Sequence, residues 1–210
     1  MELYVVLEVG VFKLEIYIDF DSTLFDTSKF YREYLNICNK NGISDEEVTL
    51  ARKELFNDNN LFNMDVITKY FIKKFDLKDK MLEEVKLLFT DKFVYDDVIP
   101  SLEKLSKKYK LILLTYGDKK YQLDKINASK LKKYFKKIII SNKSKDSLDI
   151  DYSNGIFIDN SPEEVEKFYK RNPKKVIRIR RENEEMSKKD TSIKEILEYD
   201  NFCKIVENEL

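Results

Sequence analysis

The sequence predicts an α/β protein: a Rossmann-like, doubly wound parallel sheet interrupted by an all-helical insertion. Three observations carry this. Short apolar, β-branched runs at residues 14–18, 111–115, 138–141, 155–159 and 176–179 read as strands. Helical apolar spacing lies between the later ones, and strands that alternate with helices favour parallel pairing. Residues 27–95, between the first two runs, carry helical periodicity alone.

Taken in order, residues 3–12 resemble a short strand broken at Gly10, with no assigned place. The first core strand runs from Leu14 to Ile18 and delivers Asp19 and Asp21. A helix follows from Thr27, with Phe30, Tyr31, Tyr34, Leu35 and Cys38 on one face and a stop at Asn41-Gly42. Ser44 with Glu47 is a capping-box signature for a second helix, which Asn57-Asp58-Asn59-Asn60 ends. Apolar spacing at Val66, Ile67, Tyr70 and Phe71, then at Leu82, Val85, Leu88 and Phe89, predicts two more. A helix after Pro100 leads to Leu111–Thr115, apolar enough for a strand covered on both faces. Another helix is expected over 118–133, a helix opening at Ser161-Pro162 after the fourth strand, and a closing helix over 192–210. The core is thus 1–26 with 96–210, and the insertion is 27–95.

Composition narrows the chemistry. The 210 residues are 42% hydrophobic and 37% charged, with 39 basic and 39 acidic side chains. A zero formal charge gives no reason to expect nucleic acid or an acidic membrane as partner. The lysine pairs at 107–108, 132–133, 136–137 and 174–175 read as solvated edges. With no histidine, a Ser-His-Asp triad and imidazole-ligated zinc are excluded. Cys38 and Cys203 are too few for a thiolate cluster, so a metal would be held by oxygen, which favours Mg²⁺. No apolar run reaches the ~18 residues of a membrane span, and the amino terminus lacks the features of a signal peptide. A cytoplasmic setting is expected; oligomeric state is not legible.

The strand ends concentrate the chemistry. Asp19 and Asp21, two residues apart on an extended chain, would point the same way. So close, two carboxylates need a shared proton or a cation between them; the alternative is an Asp-rich turn. Thr115 ends the second strand, Ser141 followed by Lys143 and Lys145 the third, and Asp159-Asn160 the fourth. In an open parallel sheet, ligands bind beyond those ends. Hydroxyl, ammonium and carboxylates together suit a phosphoryl group and a divalent ion.

Asp19-Phe20-Asp21-Ser22-Thr23 resembles the first motif of the haloacid dehalogenase (HAD) superfamily, in its phosphatase-type D-x-D-x-T form. Leu113 to Asp118, followed by Gln122 and Lys125, resembles the second motif, with Tyr116 where relatives often have Asn. A lysine after the third strand, Lys145 or else Lys143, matches the third; the Pro that often follows it is missing. Phe157 to Glu164 resembles the fourth, with Asn160 where many relatives have Asp. The helical insertion resembles the C1-type cap of this superfamily.

This resemblance implies a Mg²⁺-dependent phosphomonoester hydrolase acting on a small phosphorylated metabolite, a nucleotide or sugar phosphate. Asp19 would be the nucleophile and Asp21 the general acid, then base. Thr115, Tyr116, Gly117 and Lys145 (or Lys143) would hold the phosphoryl group, and Thr23 would fix the loop. Asp19, the main-chain carbonyl of Asp21, Asp159 and Asn160 would hold Mg²⁺. Glu163 and Glu164 read either as a helix start or as outer metal partners. The alternatives are a binding or regulatory module that has lost turnover, and a phosphotransferase.

Overall fold

The computed structural model describes residues 14–56, 61–182 and 184–210. The strand expected over 3–12 and the breaker at 57–60 lie outside them. Six parallel strands, β1 (Glu15–Ile18), β2 (Lys110–Tyr116), β3 (Lys137–Ser141), β4 (Gly155–Asp159), β5 (Lys175–Ile179) and β6 (Leu197–Tyr199), pair in the order β3-β2-β1-β4-β5-β6. Such an order reverses between β1 and β4, where a crevice opens at the strands' C-terminal ends.

Alternate residues of each strand go to opposite faces. Ile16, Ile18, Leu113 and Ile158 pack one face, under α5 (Val98–Lys108) and α8 (Phe202–Glu209). Tyr17, Ile112, Leu114 and Phe157 pack the other, against Val165 and Phe168 of α7 (Pro162–Tyr169).

The insertion forms four helices: α1 (Thr27–Lys40), α2 (Asp45–Leu55), α3 (Met64–Lys74) and α4 (Lys80–Lys86). The first two carry local start and stop signals. Asp26 caps α1 by accepting from Lys29 N at 2.7 Å, and Gly42 supplies a left-handed stop at φ +79. The Ser44–Glu47 capping box forms in both directions. The apolar cluster beneath the first sheet face continues unbroken into these helices through Phe20, Phe25, Phe30 and Phe93.

Three expectations are corrected. The helix expected after Pro100 already includes it, since a missing N–H costs nothing in a first turn. The helix expected over 118–133 is α6 (Lys119–Ala128) followed by a 3₁₀ turn at Leu131–Tyr134, divided by Lys130 at φ +60. The closing helix expected over 192–210 begins only at Phe202. Leu197–Tyr199 instead adds the sixth strand to β5, and Asn201 caps α8 through Cys203 N at 2.8 Å.

Arg181, just after β5, ties the far end of the chain to the first strand's loop. It donates to the Thr23 carbonyl from Nε at 3.0 Å and from a terminal nitrogen at 2.7 Å, and its other arm meets both oxygens of Asp97 at 3.0 and 2.8 Å. Removing one partner of a buried pair strands the other. Arg181→Met should therefore cost about 3 kcal/mol in urea unfolding. A loss under 1 kcal/mol, the range of an exposed pair, would remove Arg181 from this role.

Candidate active site

β1 and β4 are neighbours in register, Ile18 opposite Ile158, so Asp19 and Asp159 leave the sheet side by side at the crevice. Asp19 N donates to Ile158 O at 2.9 Å, which carries the pairing one residue further. Both carboxylates are buried, 5% and 1% exposed. Lys145, 4% exposed, lies between them: its ammonium bonds Asp19 Oδ1, and Asp159 Oδ2 at 2.7 Å. The second oxygen of Asp159 accepts from Ser161 N at 2.9 Å. No donor meets Asp19 Oδ2 among the described residues.

Asp21 has separate partners. After Phe20 the chain turns, with Ser22 at φ +56, and the Asp21 carboxylate is held by other side chains than Asp19's. Its carboxylate pairs with Lys125 of α6 and accepts from Thr27 at 2.7 Å and Gln122 Nε2 at 2.8 Å. Of a proton or a cation between the two acids, neither is what the side chains show: Lys125 pairs with Asp21, and Lys145 with Asp19 and Asp159.

The two acids titrate in opposite directions. Burial raises the Asp19 pKa to about 7; Lys145 pulls it down, and the nearby Asp159 charge pushes it up again. Burial also pushes Asp21 up, but Lys125, Gln122 and Thr27 outweigh it and hold Asp21 below the usual carboxylate range. For Lys145, burial alone would lower the pKa; the charges of Asp159 and Asp19 reverse this and hold it raised. One ammonium serving two buried carboxylates leaves a negative charge uncompensated, and Asp19 carries that deficit.

The cleft at these strand ends measures about 480 Å³ and takes in Asp19, Asp21, Thr115, Tyr116, Lys145, Asp159, Asn160 and Glu164. Thr115 is buried, and its hydroxyl meets Gln122 Nε2 at 3.2 Å. Tyr116 is 46% exposed at the rim, its carbonyl held by Gln122 at 2.8 Å. Asn160 Oδ1 accepts from Thr23 at 3.4 Å. Fully buried Arg178 fixes the Asn160 carbonyl from Nε at 3.2 Å and ion-pairs with Glu198 at 2.9 Å.

Three expected residues stand apart. Lys143 is exposed and outside the cleft lining. Only its main chain has a local task, bonding the Ser141 hydroxyl at 2.6 and 3.0 Å. Gly117 lines a neighbouring chamber, and its N–H goes to Ser141 O at 2.9 Å. Its φ of +150 and the 2.8 Å approach of Gln122 Nε2 to a would-be Cβ explain the glycine structurally. Glu163 is exposed and pairs with Lys189 at 3.3 Å.

Glu164 stands in the helix start expected at Ser161-Pro162, where a full capping box does not form. Ser161 caps Glu164 N at 3.2 Å, but Ser161 N is already taken by Asp159, so the box stays half formed. Glu164 Oε1 pairs with Lys167 at 2.8 Å, while Oε2 is buried without a partner.

Among the described residues no three His, Cys, Asp or Glu side chains group as a metal site. The position expected for Mg²⁺, between Asp19 and Asp159, holds the Lys145 ammonium instead. The cleft still lacks one positive charge, its free donors are all oxygen, and Asn160 supplies an amide carbonyl beside the acids. A hard divalent ion would suit that set of oxygens.

A sequence model described as "Haloacid dehalogenase-like hydrolase" matches residues 16–147, more than half of the chain. The chain belongs to the haloacid dehalogenase-like hydrolase family. A search of curated protein sequences gives no match. Among solved structures, the HAD-like fold recurs in a haloacid dehalogenase-like hydrolase from Burkholderia xenovorans, with a TM-score of 0.69, 13% identity, and 94% and 100% of the two chains covered. It recurs in the HAD-hydrolase YfnB from Bacillus subtilis, determined bound to magnesium (0.61; 12%; 93% and 97%), and in a HAD phosphatase from Thermococcus onnurineus (0.59; 21%; 92% and 96%). At such identities these likenesses establish the HAD fold alone. Among the described residues, no helix is long and apolar enough to cross a membrane.

Proposed function

We propose that the protein is a Mg²⁺-dependent phosphomonoester hydrolase acting on a small phosphorylated metabolite through an aspartyl-phosphate. The observation that carries this reading is the lone oxygen of Asp19. A buried carboxylate fixed through one oxygen by Lys145, with the other meeting no donor in a cleft that Thr115 also lines, is placed to attack a phosphorus atom. Asp19, Asp159, Asn160 and the Asp21 carbonyl would hold the ion, which supplies the charge compensation that one ammonium cannot. The family name also covers dehalogenation, but Asp21 favours ester cleavage, because a leaving halide needs no proton bookkeeping. Residues 27–95 are proposed as a separate cap domain selecting the substrate, and the YfnB and phosphatase likenesses are consistent with this reading.

In the first step an Asp19 oxygen bonds to phosphorus as the ester P–O bond breaks, and the departing alkoxide takes a proton from the Asp21 carboxyl. In the second, water attacks phosphorus, Asp21 takes the water's proton, and the Asp19–phosphorus bond breaks to release phosphate. Lys125 favours the ionised form of Asp21, the form that then accepts the water's proton.

Phosphate release from p-nitrophenyl phosphate tests the reading. Release that stops with EDTA and returns with Mg²⁺ supports it; none across a panel of metals and esters favours a binding module. The pH dependence has a definite sign. Protons compete with the ion for Asp19, so apparent Mg²⁺ affinity should weaken as pH falls below about 7. Saturating Mg²⁺ should restore the rate. Loss of Asp21 as base should appear only below the usual carboxylate range.

A further inference from the structure

A second chamber, about 350 Å³, adjoins the cleft and shares Asp21 and Tyr116 with it. Its far wall differs from the charged cleft. Tyr31 of α1, Phe62 and Tyr121 of α6 present rings, with Phe62 and Tyr121 edge-on at 5.5 Å. Arg52 of α2 stacks its guanidinium on Tyr31 at 4.9 Å and on Phe62 at 4.8 Å. A guanidinium stacked on rings by its face directs its N–H groups along its edge, where an acceptor can meet them.

At the near end, Gln122 is 3% exposed and its Oε1 is buried without a partner. Turning the amide over would set that oxygen against Asp21 and the Tyr116 carbonyl, both acceptors, so its orientation is fixed. The chamber therefore offers an acceptor beside the reacting centre, and flat faces with a cationic donor beyond it.

We propose, resting on the phosphatase reading above, that the alcohol half of the substrate is a hydroxylated linker ending in a flat, acceptor-bearing heteroaromatic ring. That is the chemistry of a nucleoside monophosphate rather than of a simple sugar phosphate. The hydroxyl donates to Gln122 Oε1, the ring enters among Tyr31, Phe62 and Tyr121, and Arg52 donates to a ring carbonyl. The phosphate remains with Asp19 and Lys145.

UMP and ribose 5-phosphate make a matched test, since they present the same primary ester and differ in the base. The wild-type kcat/KM should be about tenfold higher for UMP, the scale of a ring stack with a cationic donor. Arg52→Leu, at an exposed helix position, should bring that ratio close to one. Equal kcat/KM for the two esters in the wild type would overturn the proposal. Benzyl phosphate, which has a ring but no hydroxyl, should fall below UMP; parity would overturn the role of Gln122. Equilibrium binding to Asp19→Asn repeats the comparison without turnover, with UMP expected to bind more tightly and equal affinity overturning the inference. Hydrolysis of p-nitrophenyl phosphate with no preference for UMP sinks this inference alone. No hydrolysis of any ester sinks the phosphatase reading as well.

Discussion

Lys145→Met should destabilise the protein by about 3–5 kcal/mol, because it leaves Asp19 and Asp159 buried together with no cation. A neutral side chain of similar length fills the volume but cannot neutralise either acid. Turnover should fall by about three orders of magnitude, since the same ammonium would face the phosphoryl oxygens. Mg²⁺ should raise the melting temperature more in this variant than in the wild type, as a bound ion substitutes for the lost charge. Urea unfolding with and without Mg²⁺ checks both effects. A variant as stable as the wild type in EDTA would show that Lys145 does not hold the two acids together.

Asp19→Asn should have opposite effects on activity and stability. Turnover should drop by at least about 10⁴-fold, as an amide is no nucleophile. Stability at pH 8 in EDTA should rise, on the order of 2 kcal/mol, because Lys145 then faces a single carboxylate. The sign follows from the raised pKa of Asp19. With a folded-state value of about 7 against an ordinary 3.8, the native state binds an extra proton between them. Wild-type stability should therefore increase as pH falls from above 7 towards 4, and the Asn variant should lack this gain. Guanidinium titrations at pH 8 and pH 5.5 would show it. An Asn variant less stable than the wild type at pH 8 would contradict the charge accounting.

What the sequence reveals and what it conceals divide along physical lines. Strands with both faces covered are continuous apolar runs, so β1 to β5 are legible, and with them the crevice holding Asp19, Thr115 and Asp159. Leu197–Tyr199 is three residues at a sheet edge, too short for a period-two signal, and reads as helix with α8. The choice between Lys143 and Lys145 turns on a 3₁₀ turn at Lys145–Ser147 that carries Lys145 inward, which spacing alone does not encode. Lys125 and Gln122 are visible as part of a motif, yet their hold on Asp21 requires the fold. Nothing in the sequence singles out Arg178 or Arg181 as buried, because charge usually marks exposure. Here ion pairs and carbonyls satisfy them internally, and no local pattern announces that.

During turnover Asp19 should become covalently bonded to phosphorus. Asp21→Asn, expected to impair the attack of water more than the first step, should let that species accumulate. Acid quenching during turnover of a phosphate ester, followed by mass analysis of the peptide that contains Asp19, measures it directly. One added phosphoryl group on Asp19, lost on standing at neutral pH and missing in an Asp19→Asn, Asp21→Asn double variant, is the expected result. Phosphate released in full with the Asp19 peptide never modified would contradict the account.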